Sequence, residues 1–277
     1  MSQTLAPTLK LANGVEMPQL GLGTWPMNDT EAAIAVAAAL DMGYRAIDTA
    51  ENYENERGVG EGIRRASVKR EDVFVTTKFN RKWHGFEGAR EACLASLDRL
   101  GLDYIDLLLI HWPNPDQDRF VEAYLGLLRL LDEGLVRAVG TSNFKPAHLE
   151  RLFRLGLVPH LNQIQLDPYH RRDDLVAIHR AKGIVTESWR PLGFGSEMLK
   201  DPAIAAIAAS HGRTPAQIVL RWAVQQGFAT ATKSSNPQRM AENLNVFDFT
   251  LGADDMAILD GLDRPDPGMF DADSFGH

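Results

Sequence analysis

The sequence predicts an α/β protein of the (β/α)8 barrel class, with an N-terminal β-hairpin and extra C-terminal helices, in one domain over residues 1–277. Three observations lead there. Short apolar runs alternate with amphipathic helical stretches along most of the chain, the pattern of parallel strands joined by right-handed crossovers. Eight strand–helix units can be counted in it, and a closed (β/α)8 barrel takes about 250 residues. No Gly-, Pro- or Ser-rich linker and no low-complexity segment divides the chain.

The elements follow in order. Residues 8–19 alternate around Asn13-Gly14, a strong signal for a two-residue hairpin turn. The first barrel strand is expected at residues 19–23, running into Thr24-Trp25. Asp29-Thr30 before the Ala-rich stretch 31–40 reads as a capped helix. Further strands are expected at residues 44–47, 73–77, 104–110, 136–140, 161–165 and 184–187, and a less distinct one at 228–232. Between them, helical patterns occupy residues 89–100, 120–133, 146–155, 173–182 and 215–225. Those at 202–211, 237–246 and 253–262 exceed what eight units require. Another helical pattern begins at Glu54, and in it Gly58, Gly60 and Gly62 read as permitting close packing. Residues 265–277 are rich in Pro, Gly and Asp and lack periodicity. They form either a loose tail or a segment laid over the barrel mouth.

Composition excludes several functions. A formal net charge of −8 argues against a nucleic-acid partner, whose binding face is normally basic. The single cysteine, Cys93, allows neither an internal disulfide nor a Cys-rich metal site. The eight histidines include no metal-binding i, i+4 pair with an adjacent glutamate. The stretch Gly21-Leu22-Gly23-Thr24-Trp25-Pro26 breaks the dinucleotide fingerprint at its third glycine. There is no Walker A lysine motif and no G-x-S-x-G nucleophile elbow. The start of the chain does not read as a secretion signal, and no apolar run approaches the ~20 residues that cross a bilayer. A cytoplasmic protein without a membrane partner is therefore expected.

The chemistry gathers at strand ends. Asp48 ends the run 44–47, Lys78 the run 73–77 and His111 the run 107–110, while Tyr53 lies in the loop after the first of these. In a barrel, all C-terminal strand ends open into one mouth. Taken singly, Asp48 is a turn cap, Tyr53 a half-buried aromatic, and Lys78 or His111 structural. Together, across successive units, they indicate a shared site.

These residues carry a family resemblance. The stretch from Gly43 through Asp48 and Tyr53 to Glu56, then Lys78, His111-Trp112-Pro113, and Lys233-Ser234-Ser235-Asn236-Pro237-Gln238-Arg239, resembles the aldo-keto reductases. The likeness runs in order from the Asn13-Gly14 hairpin to residues 246–249, and is to bacterial NADPH-dependent members such as the 2,5-diketo-D-gluconate reductases. The resemblance implies a barrel that reduces carbonyls with a nicotinamide cofactor and has no Rossmann domain. It implies Tyr53 as general acid, Lys78 as the group that tunes it, Asp48 as the partner of Lys78, and His111 as the residue that orients the carbonyl. A free tyrosine has a pKa of about 10, and a neighbouring Lys⁺ would lower it by ~1–3 units.

The same resemblance assigns the cofactor, NADPH or NADP+. Ser142, Asn143 and Gln163 match positions at the nicotinamide carboxamide, and Trp189 an aromatic against the ring. Lys233, Ser234 and Arg239 would hold the 2′-phosphate, with Glu242 and Asn243 at the adenine; Thr24, Asp48, Leu192 and Gly193 complete the contacts. Trp25 and Trp112 would line the substrate pocket with Tyr53 and His111, with Phe79 and Trp83 as further candidates. Two departures stand out. Asn80 replaces a tryptophan that commonly follows the lysine by two residues, and Arg190 stands where a small residue is usual. Arg190 is read as reaching either the cofactor pyrophosphate or the surface. The short C-terminal segment implies an open pocket. The expected substrates are small-molecule aldehydes and ketones, with keto-sugars and small dicarbonyls considered, acted on by a monomer. A lyase using Lys78 as a Schiff-base nucleophile and a non-enzymatic nicotinamide-binding barrel are the competing readings.

Overall fold

The computed structural model describes residues 5–193, 197–264 and 269–276. A hairpin of β1 (Thr8–Lys10) and β2 (Glu16–Pro18) pairs antiparallel, with Leu9 opposite Met17. Its turn includes Gly14, whose φ of 87° favours glycine. Eight parallel strands then close into a ring: β3 (Leu20–Gly23), β4 (Ala46–Asp48), β5 (Phe74–Phe79), β6 (Ile105–Ile110), β7 (Val136–Ser142), β8 (Leu161–Gln165), β9 (Val185–Trp189) and β10 (Ala229–Lys233). The ring closes where β10 pairs with β3, Thr230 opposite Leu20. This is the expected (β/α)8 barrel.

The period of two along each strand divides the apolar residues into two cores. Leu108 and Ile110 of β6 pack outward against the helices, while Leu107 and Leu109 point into the barrel. The inner core also takes Ala46, Phe74, Ala138, Leu161 and Ala229. Leu11 and Met17 of the hairpin region join it, so the hairpin closes the floor of the barrel, opposite the strands' C-terminal ends. Stepping by twos from these inward residues, and from Val185 of β9 packed against them, reaches Asp48, Lys78, His111, Ser142, Gln163, Trp189 and Lys233. One packing decision therefore aims seven polar or aromatic side chains at the mouth.

Helices surround the ring: α1 (Asp29–Met42), α2 (Glu56–Arg65), α3 (Phe86–Leu100), α4 (Phe120–Asp132), α5 (Pro146–Phe153), α6 (Asp173–Lys182), α7 (Pro202–His211), α8 (Pro215–Gln225), α9 (Pro237–Leu244) and α10 (Ala253–Asp260). The cap of α1 differs from the expected Asp29-Thr30. Asn28 accepts the Glu31 N–H at 3.0 Å, and Glu31 accepts the Asn28 N–H at 3.1 Å, a capping box. Asp29 instead accepts the Gly58 N–H at 2.6 Å, joining α1 to α2. The packing reading of the α2 glycines holds. A Cβ on Gly58 would collide with the Asp29 carbonyl, and one on Gly60 with the Leu100 carbonyl. Helix α2 starts at Glu56 rather than Glu54, because Glu51–Tyr53 form a 3-10 turn and Glu54 takes a left-handed φ of 55°. That turn presents Tyr53 to the mouth.

Of the C-terminal segment, residues 265–268 and 277 lie outside the described residues. Residues 269–276 lie across the mouth. Lys145 forms ion pairs with Asp271 and Asp273, and His148 Nε2 meets Asp273 Oδ1 at 3.0 Å. Phe270 and Phe275 pack with tilted rings, centroids 4.7 Å apart, and face the barrel. Among the described residues, no helix is long and apolar enough to cross a membrane.

Candidate active site

A cavity of about 520 Å³ opens at the C-terminal ends of the strands. Its wall includes Asp48, Tyr53, His111 and Trp112, and also Thr24, Trp25, Ser142, Asn143, Gln163, Trp189 and Lys233.

Lys78 anchors the floor. It is wholly inaccessible to solvent, and its ammonium donates to Asp48 Oδ1 at 2.7 Å, Asp48 Oδ2 at 2.9 Å and the Thr49 carbonyl at 2.9 Å. The Tyr53 hydroxyl lies 3.5 Å from the same nitrogen. A buried ammonium without a counter-ion is costly, so Asp48 is what permits Lys78 to stay charged there. His111 is buried, and its imidazole meets the Tyr53 ring edge-on, with centroids 5.9 Å apart. The four side chains named from the sequence thus come together from β4, the following turn, β5 and the end of β6.

Electrostatics assigns their protonation. Burial alone would lower the pKa of Lys78, but Asp48, Tyr53 and Glu187 bring it up to about 12. Burial pushes the Tyr53 phenol above its ordinary 10.0, while Lys78 pulls it down and Asp48 pushes it up. The lowering by Lys78 expected from the sequence is present, but burial outweighs it, so Tyr53 stays protonated at neutral pH.

A second group of side chains forms a cleft beside this floor. Asn143 donates from Nδ2 to the His111 carbonyl and to Ser142 Oγ, both at 3.0 Å. Its Oδ1 accepts from Trp189 Nε1 at 2.8 Å, holding the indole in the wall. Ser142 Oγ donates to the Gln163 carbonyl at 3.1 Å. Gln163 Nε2 donates to Asp48 Oδ2 at 2.8 Å and to Glu187 Oε2 at 2.9 Å, so both amide hydrogens are committed inward. Thr24 Oγ1 donates to the Asp48 carbonyl at 3.1 Å. Lys233 ends β10 at the edge of the cavity, and α9 starts four residues later with Asn236 as its cap. Among the described residues, neither Lys233 nor Arg239 forms an ion pair. Two such cations beside a helix N-terminus suit a phosphate.

Residues 17–264 match the sequence profile of the Aldo/keto reductase family. The chain belongs to this family. It is 44% identical over 288 residues to morphine 6-dehydrogenase of Pseudomonas putida, covering 98% of this chain and 97% of that one. It is 45% identical over 269 residues to methylglyoxal reductase DkgA of Escherichia coli K12, covering 95% and 97%. Among solved structures, a point mutant of Gox0644 in complex with NADPH superposes with a TM-score of 0.91 at 42% identity, covering 99% of this chain and 98% of that one.

The remaining named residues of this aldo-keto reductase sit outside the cavity wall. Leu192 and Gly193 occupy the turn after β9, where the Gly193 N–H bonds the Arg190 carbonyl at 2.9 Å. Ser234 makes a local turn with Asn236, Glu242 accepts from Gln238 Nε2 at 3.0 Å, and Asn243 is buried on α9. Phe79 points outward into the helix-facing core, the reverse of Lys78 beside it, so it does not join the rim. Trp83 is held off the cavity by Glu51, which accepts its Nε1–H at 2.9 Å. Asn80 lies at the end of β5, and its backbone N–H meets Glu51 at 3.4 Å.

Sequence reasoning missed several contributors. Phe270 and Phe275 complete the rim, with Phe275 and Trp112 centroids 4.7 Å apart; an aperiodic tail carries no signal for this. Asn55 is fully buried and ties Thr24 and Met27 to Thr49, fixing the loop that carries Trp25. Glu187, fully inside the barrel, was legible from the period of two along β9. The indole Nε1 of Trp112 is buried without a hydrogen-bond partner among the described residues, a donor for which a bound oxygen is favourable.

Proposed function

We propose that this reductase converts aldehydes and ketones to alcohols with NADPH, Tyr53 delivering the proton. The observation that carries the reading is the buried Asp48–Lys78–Tyr53 cluster at the floor of one cavity. The cleft fits the cofactor: Trp189, Ser142, Asn143 and Gln163 would hold the nicotinamide, and Lys233, Ser234 and Arg239 the 2′-phosphate, with Glu242 and Asn243 nearby. When bound, NADPH supplies the hydride to the carbonyl carbon.

The protein's own residues do the rest. The carbonyl oxygen becomes negatively charged as its carbon is reduced. The Tyr53 hydroxyl, neutral at physiological pH, donates its proton to that oxygen. The phenolate left behind faces the Lys78 ammonium, which stabilises it until a proton returns. Asp48 keeps Lys78 charged and in place. His111 hydrogen-bonds the carbonyl oxygen and aims it at Tyr53. Trp25, Trp112, Phe270 and Phe275 make an apolar wall for the body of the substrate. The likeness to a methylglyoxal reductase supports small dicarbonyls among the substrates.

Positioned proton transfer contributes about 10²–10⁴-fold, so Tyr53→Phe should lose that much turnover in an NADPH oxidation assay with a reactive aldehyde. Quenching of tryptophan fluorescence by NADPH should persist. A fully active Tyr53→Phe protein would overturn the mechanism. The Schiff-base reading is opposed by Lys78 itself, since a pKa of about 12 keeps it protonated.

A further inference from the structure

The chemistry above leaves one charged residue of the cavity wall without a task. Arg190 follows β9 directly and adopts a left-handed φ of 56°. A long side chain in that conformation is uncommon, and such strain gathers at functional positions.

Its surroundings are aromatic. The guanidinium carbon lies 5.1 Å from the centroid of Trp25, 5.4 Å from Trp189 and 5.5 Å from Phe270. These rings come from the loop after β3, the end of β9 and the C-terminal segment, and all of them line the cavity. Each ring face attracts a cation through the negative charge of its π-system. A guanidinium is a planar fork of N–H donors that grips a carboxylate with two parallel hydrogen bonds, and it tolerates aromatic neighbours better than a strongly hydrated ammonium does.

The position favours the substrate side of the cavity. Trp25 and Phe270 belong to the rim that includes Trp112 and Phe275. Burial lowers the pKa of Arg190 and Tyr53 opposes that, while Arg190 in turn lowers the pKa of Tyr53. The guanidinium therefore feels the proton donor. The cations suited to a cofactor phosphate, Lys233 and Arg239, stand elsewhere, beside the start of α9.

We propose that Arg190 binds a carboxylate on the substrate, so that this enzyme prefers carbonyl compounds of the oxo-acid class, with the acidic group on the same small molecule as the reacting carbonyl. The inference rests on the reductase reading above. The contact is to the carboxylate and not to the reacting carbonyl, and it is equally available before and during the reaction, so its effect falls mainly on KM.

The test uses 4-carboxybenzaldehyde and its methyl ester, which share a ring and an aldehyde and differ in charge. NADPH oxidation is measured for wild type, Arg190→Met and Arg190→Lys, with NADPH affinity followed by tryptophan quenching. In Arg190→Met, the acid-to-ester ratio of kcat/KM should fall about ten- to hundredfold, the range for a hydrogen bond to a charged group, through a raised KM for the acid. Arg190→Lys should recover part of the ratio, because it keeps the charge and loses the fork. An unchanged ratio in Arg190→Met overturns the assignment. So does a parallel fall for acid and ester with weakened NADPH binding, which would give Arg190 to the cofactor pyrophosphate. A wild type that oxidises NADPH with neither aldehyde refutes the reductase reading itself, whereas turnover with an unchanged ratio refutes only the role of Arg190.

Discussion

Gln163 Nε2 bridges two carboxyl groups, reaching Asp48 Oδ2 at 2.8 Å and Glu187 Oε2 at 2.9 Å. Asp48 is satisfied by Lys78, but Glu187 is not paired in this way. Burial, then the charge of Asp48, push the Glu187 carboxyl up to about 8, although Gln163 and Lys78 act to lower it.

A pH dependence of stability results. An unfolded glutamate ionises near 4.5, so between there and about 8 the folded state holds a proton that the unfolded state has lost. Stability from this group is therefore full below about pH 4.5 and declines as pH rises towards 8. Replacing Glu187 with Gln removes the titration. Urea unfolding of both proteins from pH 5 to pH 9 should show the stability difference moving in favour of Glu187→Gln as pH rises. A difference independent of pH would refute the shifted carboxyl.

Breaking the buried pair should cost both stability and activity. Lys78→Met leaves Asp48 charged in a buried site, a loss of about 3–5 kcal/mol. The double variant Lys78→Met with Asp48→Asn should regain much of that stability and none of the activity, since Tyr53 still lacks its neighbouring cation. Denaturant midpoints and NADPH oxidation, measured on wild type, both single variants and the double variant, decide it. Equal destabilisation in the Lys78→Met and double variants would mean the charge is not what matters.

Cofactor choice should depend on two exposed cations. With Lys233→Ala and Arg239→Ala combined, NADPH affinity should fall by at least about tenfold, as expected for losing charge-assisted hydrogen bonds to phosphate. NADH, which lacks that phosphate, should be affected far less. Fluorescence titration with each cofactor makes the comparison, and equal losses would remove the phosphate assignment.

The C-terminal segment should set preference for bulk. Phe275 packs edge-on against Trp112 at 4.7 Å and 66°, a contact worth roughly 0.5–1.5 kcal/mol. Phe275→Ala should raise KM for an aryl aldehyde several-fold, and more than for a small dicarbonyl such as methylglyoxal. A KM ratio between the two substrates that does not move would place Phe275 outside the substrate pocket.

Much of this enzyme was readable in one dimension. Strand–helix alternation specified the barrel, and the Asn13-Gly14 signal specified the hairpin before it, though not that the hairpin closes the barrel floor. Because strands alternate sides residue by residue, Asp48 and Lys78 were bound to share the inner face with Ala46 and Phe74, and Glu187 was equally available to that reasoning. The same periodicity turns Phe79 away from the rim. What local pattern could not supply was contact between distant segments. The capping box of α1 depended on Asp29 being claimed by Gly58, and Trp83 on being claimed by Glu51. The tail showed no period, since its course is set by Lys145 and His148 on another loop and helix.

By itself, then, the sequence determined the barrel, the inward direction of its polar strand ends and the gathering of Asp48, Lys78 and His111 at one mouth, because those depend on period and order along the chain. Tertiary structure alone decided that burial outweighs Lys78 at the Tyr53 phenol, that Arg190 sits beside Trp25, Trp189 and Phe270, and that residues 269–276 cross the mouth. Those depend on desolvation and on contacts between segments far apart in the chain, which exist only once the ring has closed.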